Sequence, residues 1–175
     1  MILVIDTSAA LALMAAIRPG DRSEVVFNAR DTPLAMQYPN VVGKHEVEKV
    51  AVVTGPGSFT GLRVGVSFGL GLAIGLGVPI VPLPSLDLLA ARSREPVIAV
   101  KEAGRGRFYY LVPGQKPALG EASDIPKSHP IVDSFEPATG LRSFAEAAEI
   151  LLRTAREVPY RSLEIEYMQS LSVRR

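Results

Sequence analysis

The chain opens with an apolar run at residues 2–5 that stops at Asp6-Thr7-Ser8, the pattern of a buried strand ending in a polar turn. Residues 9–17 are apolar without a clear period, and Arg18-Pro19-Gly20-Asp21 then turns the chain toward a returning strand at residues 25–27. These predict a meander of three strands. Between Ala29 and Glu48, Pro33, Pro39 and Gly43 leave room for a short helix at most. Residues 49–53 read as a buried strand entering a glycine-rich loop, followed by a helix over residues 62–76 and a strand over 78–81. Ser85 is placed to cap a helix over residues 86–92, with Asp87 in its first turn. A second unit begins near Arg94-Glu95-Pro96, with strands at 97–100 and 107–112 around a loop at 102–106. Residues 113–140 are rich in proline and turn formers, with a short apolar Ile131-Val132. The clearest amphipathic helix spans residues 143–156. Ser143 caps it, Glu146 completes a capping box, and Phe144, Ala148, Leu151, Leu152 and Ala155 form its apolar face. The pattern predicts an α/β protein of two small lobes, residues 1–93 and 94–175, without an internal sequence repeat.

Composition changes this picture in three places. Hydrophobic residues make up 47% of the chain and aromatics 6%, so the core must be aliphatic, which suits an α/β protein. The formal net charge is +1, so the surface makes no general electrostatic claim on nucleic acid. Cysteine is absent, which excludes disulfides, thiolate chemistry and Cys-based zinc sites in this sequence and fits a reducing cytoplasm. Residues 64–86 carry no charge and are long enough to span a bilayer. Pro79, Pro82 and Pro84 interrupt the stretch, so a buried helix followed by a buried strand is expected instead, with no membrane contact. The first residues lack a basic leader and read as a strand, not a signal peptide.

The segment Gly55-Pro56-Gly57-Ser58-Phe59-Thr60-Gly61-Leu62-Arg63-Val64-Gly65 lies between a strand and a helix, where backbone N–H groups and the helix dipole suit an anion. Ser58 and Thr60 supply hydroxyls and Arg63 a charge. The spacing fits neither a Walker loop nor the dinucleotide fingerprint. The alternative is that the glycines serve a tight turn and close packing. Gly61, Gly65 and Gly69 recur every four residues on one helical face, where a backbone or a partner helix can approach closely. Each interior glycine costs about 0.8–1 kcal/mol relative to alanine, so packing must recover it.

This segment, with Val78-Pro79, Ser85-Leu86-Asp87-Leu88-Leu89-Ala90 and the opening Leu3-Val4-Ile5-Asp6-Thr7-Ser8, resembles the TsaB (YeaZ) family over residues 1–20 and 49–92. The resemblance implies an actin/hexokinase/Hsp70-like fold built on ribonuclease-H-like lobes. It implies a non-catalytic scaffold and dimerisation subunit, required for threonylcarbamoyl transfer to adenosine 37 of tRNA by a TsaD-type partner. A TsaE-like ATPase is a further partner, a homodimer is the form expected alone, and tRNA is contacted only indirectly, all in the cytoplasm. No cofactor is implied. The alternative is a small-molecule or nucleotide-binding protein, a weak phosphotransferase of the same fold. Its anion-binding residues would be Asp6, Thr7, Ser8, Gly55, Gly57, Ser58, Thr60, Gly61 and Arg63, with Asp6 where catalytic relatives hold a nucleotide-metal carboxylate. The partner-facing or packing glycines are Gly61, Gly65 and Gly69. Two departures stand out. The family's long helix before the Gly-Pro-Gly strand is reduced or missing, and its Asp-Ala-Arg-x-Gly-Glu-Val-Tyr segment survives only as residues 102–109, keeping Ala103, Gly106 and Tyr109.

No catalytic residue and no metal site is expected. TsaD-like metal sites use a His-x-x-x-His pair, whereas His45 and His129 are far apart. Ser58 fails the nucleophile-elbow pattern, because proline precedes it at 56 and threonine follows at 60. Arg105, Arg107, Phe108, Tyr109 and Tyr110 could form a small RNA-stacking patch, but read better as a strand with charged outward positions.

Overall fold

The computed structural model describes residues 1–167. Its first sheet joins β1 (Ile2–Asp6), β2 (Ala12–Arg18), β3 (Asp21–Phe27), β4 (Lys49–Gly55) and β5 (Ile80–Pro84) in the order β3-β2-β1-β4-β5. β1, β2 and β3 are antiparallel neighbours, while β4 runs parallel to β1 and β5 parallel to β4. A meander leading into parallel strands is the ribonuclease-H-like arrangement. The middle strand forms because residues 12–17 are apolar and buried throughout.

Two helices cover one face of this sheet. α1 (Leu34–Val42) contains Pro39, and α2 (Phe59–Leu76) is the long helix after the glycine loop. Leu3, Ile5, Met14, Val50 and Val52 pack there with Leu34, Val41, Val66 and Ala73. The connection expected to hold a reduced helix thus keeps nine residues of it. α2 begins earlier than its apolar pattern suggests, because Ser58 caps it by accepting from the Gly61 N–H at 3.2 Å. It ends where Gly77 adopts a left-handed conformation, φ 67°, just ahead of Pro79. By length and composition α2 could cross a membrane. In this fold its inner face lies on β4, β1 and β5.

The opposite face of the first sheet is covered by α3 (Ser85–Ala90) and α4 (Phe144–Leu152). Val4, Ala15, Val53 and Val81 pack there against Leu88, Phe144, Ala145 and Ala148. The capping box of α4 forms as the spacing predicts: Ser143 Oγ accepts from the Glu146 N–H at 3.3 Å, and Glu146 Oε2 accepts from the Ser143 N–H at 2.9 Å. Ser85 does not cap α3. It is the first helical residue, follows Pro84, and donates its hydroxyl to the Pro56 carbonyl.

The second sheet orders β6 (Ile98–Gly104), β7 (Arg107–Leu111), β8 (Ala118–Glu121) and β9 (Ile131–Val132) as β8-β7-β6-β9. β6 pairs antiparallel with β7 and parallel with β9, and β7 antiparallel with β8. This repeats the order and directions of β3-β2-β1-β4. Two sheets of one topology therefore stand without a visible sequence repeat, and the parallel strand of the second, β9, is two residues long. After α4 the chain returns to the first sheet. Val158 bridges Ile80, and the Tyr160 hydroxyl donates to the Ala73 and Val78 carbonyls at 3.2 and 2.7 Å. The Glu166 N–H reaches the Thr54 carbonyl at 2.8 Å.

Candidate functional site

The turn after β1 and the glycine loop after β4 meet at the edge of a cleft of about 1170 Å³. They are packed directly on each other. The Ser58 N–H donates to the Ser8 carbonyl at 2.8 Å, and Thr7 Oγ1 donates to the Gly61 carbonyl at 2.7 Å. A Cβ on Gly57 would collide with the Ser8 backbone, and one on Gly61 with the Thr7 carbonyl. One turn later a Cβ on Gly65 would meet the Thr7 side chain, and on Gly69 the Val52 side chain. The four-residue glycine interval is thus the imprint of the β1–β2 turn and of β4 on the helix.

Asp6, Thr7, Ser8, Gly57, Ser58 and Gly61 are therefore brought together, but by contact with one another. Thr60 lines the cleft and is exposed. Gly55 ends β4 with φ 119°, and a Cβ there would lie 2.7 Å from the Glu166 carbonyl. Arg63 serves a different contact: its guanidinium lies 3.9 Å from the Phe59 ring centroid, and Nε donates to the Tyr167 hydroxyl at 3.3 Å. Phe59 and Tyr167 themselves pack at 5.1 Å between centroids. On the outer side of α2, Gly71 and Gly75 face open space, among exposed Val64, Ile74 and Leu76.

Sequence reading missed Lys101. It sits near the middle of β6 and is only 8% exposed, yet lines the cleft. Its Nζ donates to Ser8 Oγ, and Ser8 Oγ donates in turn to Asp6 Oδ1, which also accepts the Ser8 N–H at 2.7 Å. This relay of three buried side chains links the first sheet to the second. Burial pushes the Lys101 ammonium below the usual lysine range, and the Asp6 carboxylate opposes that shift. The signal was one of phase. Val97 and Ala99 face the core under α3, so alternation turns Lys101 to the same side. Tyr109 on β7 is also buried and lines the cleft, whereas Arg105 and Arg107 are exposed. His45 lies exposed and His129 half-buried, both in loops, and among the described residues no group of three or more His, Cys, Asp or Glu side chains could hold a metal ion.

The family model described as TsaD: tRNA N6-adenosine threonylcarbamoyltransferase matches residues 37–168. The chain belongs to this family. Among similar proteins, the tRNA threonylcarbamoyladenosine biosynthesis protein TsaB of Haemophilus influenzae is 29% identical over 122 residues, 62% of this chain and 52% of that protein. TsaB of Bacillus subtilis is 39% identical over 67 residues, 37% of this chain and 29% of that protein. The solved structure of YeaZ from Pseudomonas aeruginosa superposes with a TM-score of 0.74 at 19% identity, covering 95% of this chain and 99% of that one. The resemblance to TsaB (YeaZ) read from the loop and helix holds, as does the actin-like fold in two lobes. The chain spans about half the length of the Haemophilus relative it matches, at 52%.

Proposed function

We propose that this chain is a non-catalytic scaffold and dimerisation subunit, required for threonylcarbamoyl transfer to adenosine 37 of tRNA by a TsaD-type partner. The observation that carries the reading is the outer face of the α1–α2 layer. Met36 is 66% exposed, Ile74 54%, Leu76 46% and Val64 43%, with Gly71 and Gly75 leaving shallow places between them. Residues 64–76 contain no charge. An uncharged helix face of this size and composition suits a partner helix better than water. The partner contact therefore falls on the first lobe, residues 1–93, in a cytoplasmic complex that a TsaE-like ATPase joins, and the same face gives a homodimer when no partner is present.

The non-catalytic part of the reading is supported by the contact between the β1–β2 turn and the glycine loop. Where a phosphate would need to enter between them, the Thr7 and Ser8 carbonyls already sit against Gly61 and Gly57. The test pairs two measurements: nucleoside analysis of tRNA from a deletion strain, and co-purification with the TsaD homologue. Loss of threonylcarbamoyladenosine together with co-purification is expected. Normal modification without co-purification would leave a shared fold with a different task.

A further inference from the structure

The buried ammonium of Lys101 is not used by the docking reading. A lysine Nζ carries three donors, and among the described residues the hydrogen-bond partner of this one is Ser8 Oγ. Removing an ammonium from water is costly unless its donors are met, and buried groups with spare hydrogen-bonding capacity point to water or ligand. Lys101 lies in the wall of the cleft, opposite Tyr109 in the β6–β7 register and bonded to Ser8 of the β1–β2 turn, and Thr60 lines the same cleft. We propose that this cleft is a binding site for a small organic carboxylate, anchored on Lys101 Nζ with Ser8 holding the ammonium in place.

The charges around the cleft select that class over a polyanion. Besides Lys101 and the exposed Arg30, the lining contains Glu102, Asp133 and Glu166. A single carboxylate pairs with Lys101 at short range, whereas a nucleoside triphosphate would meet the surplus of acidic groups. The glycine loop, the usual place to look for a phosphate, is already packed against the β1–β2 turn, and of the two cations in the lining Lys101 on β6 is the buried one and Arg30 is exposed. Binding also eases a cost already present, since a carboxylate neutralises a charge that burial disfavours. The site needs no partner chain and no tRNA, so it stands or falls separately from the docking reading.

The test uses the isolated full-length protein with lysine labelled at Cε, followed by NMR while acetate, glycine or inorganic phosphate is added at constant ionic strength set with chloride. The resonance that disappears in Lys101→Met identifies the residue. A saturable shift of that resonance with acetate and glycine is expected, and Ser8→Ala, which frees the ammonium to move, should weaken both by about tenfold, one decade in Kd. Circular dichroism of the variants checks that they fold. A resonance that moves no more than with chloride alone overturns the proposal, as does phosphate binding more tightly than either carboxylate.

Discussion

Helix α2 carries glycines on two faces, and the same residue serves each face differently. On the inner side Gly61, Gly65 and Gly69 let the helix sit against the β1–β2 turn and β4 at distances that exclude any Cβ. On the outer side Gly71 and Gly75 have nothing within reach. The inner glycines recover their cost through packing within the chain. The outer ones do not, so within the isolated protein they remain a net loss of helix stability. Spacing along the sequence cannot separate these cases; what faces each glycine can.

The largest effect should come from filling the inner face. Gly65→Leu or Gly69→Leu should destabilise the protein by about 1–3 kcal/mol, because the side chain must displace Thr7 or Val52. Chemical denaturation measures this, and midpoints equal to the parent would show that the face is not packed. Next comes the outer face: Ile74→Asp should leave stability within about 0.5 kcal/mol while weakening the TsaD-type contact by about 1–2 kcal/mol. A pull-down that retains the partner equally well would move the interface elsewhere. Smaller still, Gly75→Ala should stabilise the isolated protein by up to about 0.8–1 kcal/mol. If a partner backbone approaches there, the same change should lower affinity, and the opposite signs would separate folding from docking.

The smallest effect concerns the edge of α2, where the returning tail lies. Burial raises the Glu166 carboxyl above its ordinary value, with repulsion from Asp87 second, and burial raises Asp87 as well. The folded chain thus holds protons that the unfolded chain has lost. Glu166 therefore adds stability as pH falls through its raised pKa toward the ordinary glutamate range, and that contribution is lost as pH rises. Glu166→Gln should remove this contribution, so the parent's Tm should gain on the variant's as pH falls through that range; a difference in Tm that stays constant with pH would show that the shift does not contribute.

Much of this was legible before the fold was known. The glycine face, the α4 capping box and the opening meander follow from spacing that admits few other solutions. The misread elements each have a physical cause. β5 runs through Pro82 and Pro84 because it is an edge strand, where a missing N–H costs no ladder bond. Ser85 looks like a cap, but its hydroxyl serves Pro56. Lys101 escaped notice because a charged residue after an apolar run usually marks the end of a strand, whereas β6 continues to Gly104. The second lobe's repetition of the first was implied by the family resemblance and not by the residues themselves, since it lies in strand order.

The position of α4 has a consequence for how the protein is made. The β2–β3 side of the first sheet, finished early in the chain, is covered by a helix that does not end until Leu152. A ribosome would release Val4, Ala15 and Val53 long before Phe144, Ala145 and Ala148 emerge to shield them. Until then the nascent chain would carry an apolar sheet face in water, a surface that chaperones bind and that neighbouring chains can stick to. Slow synthesis over the stretch before α4 would therefore lower yield, because Phe135 and Phe144 reach the face only late.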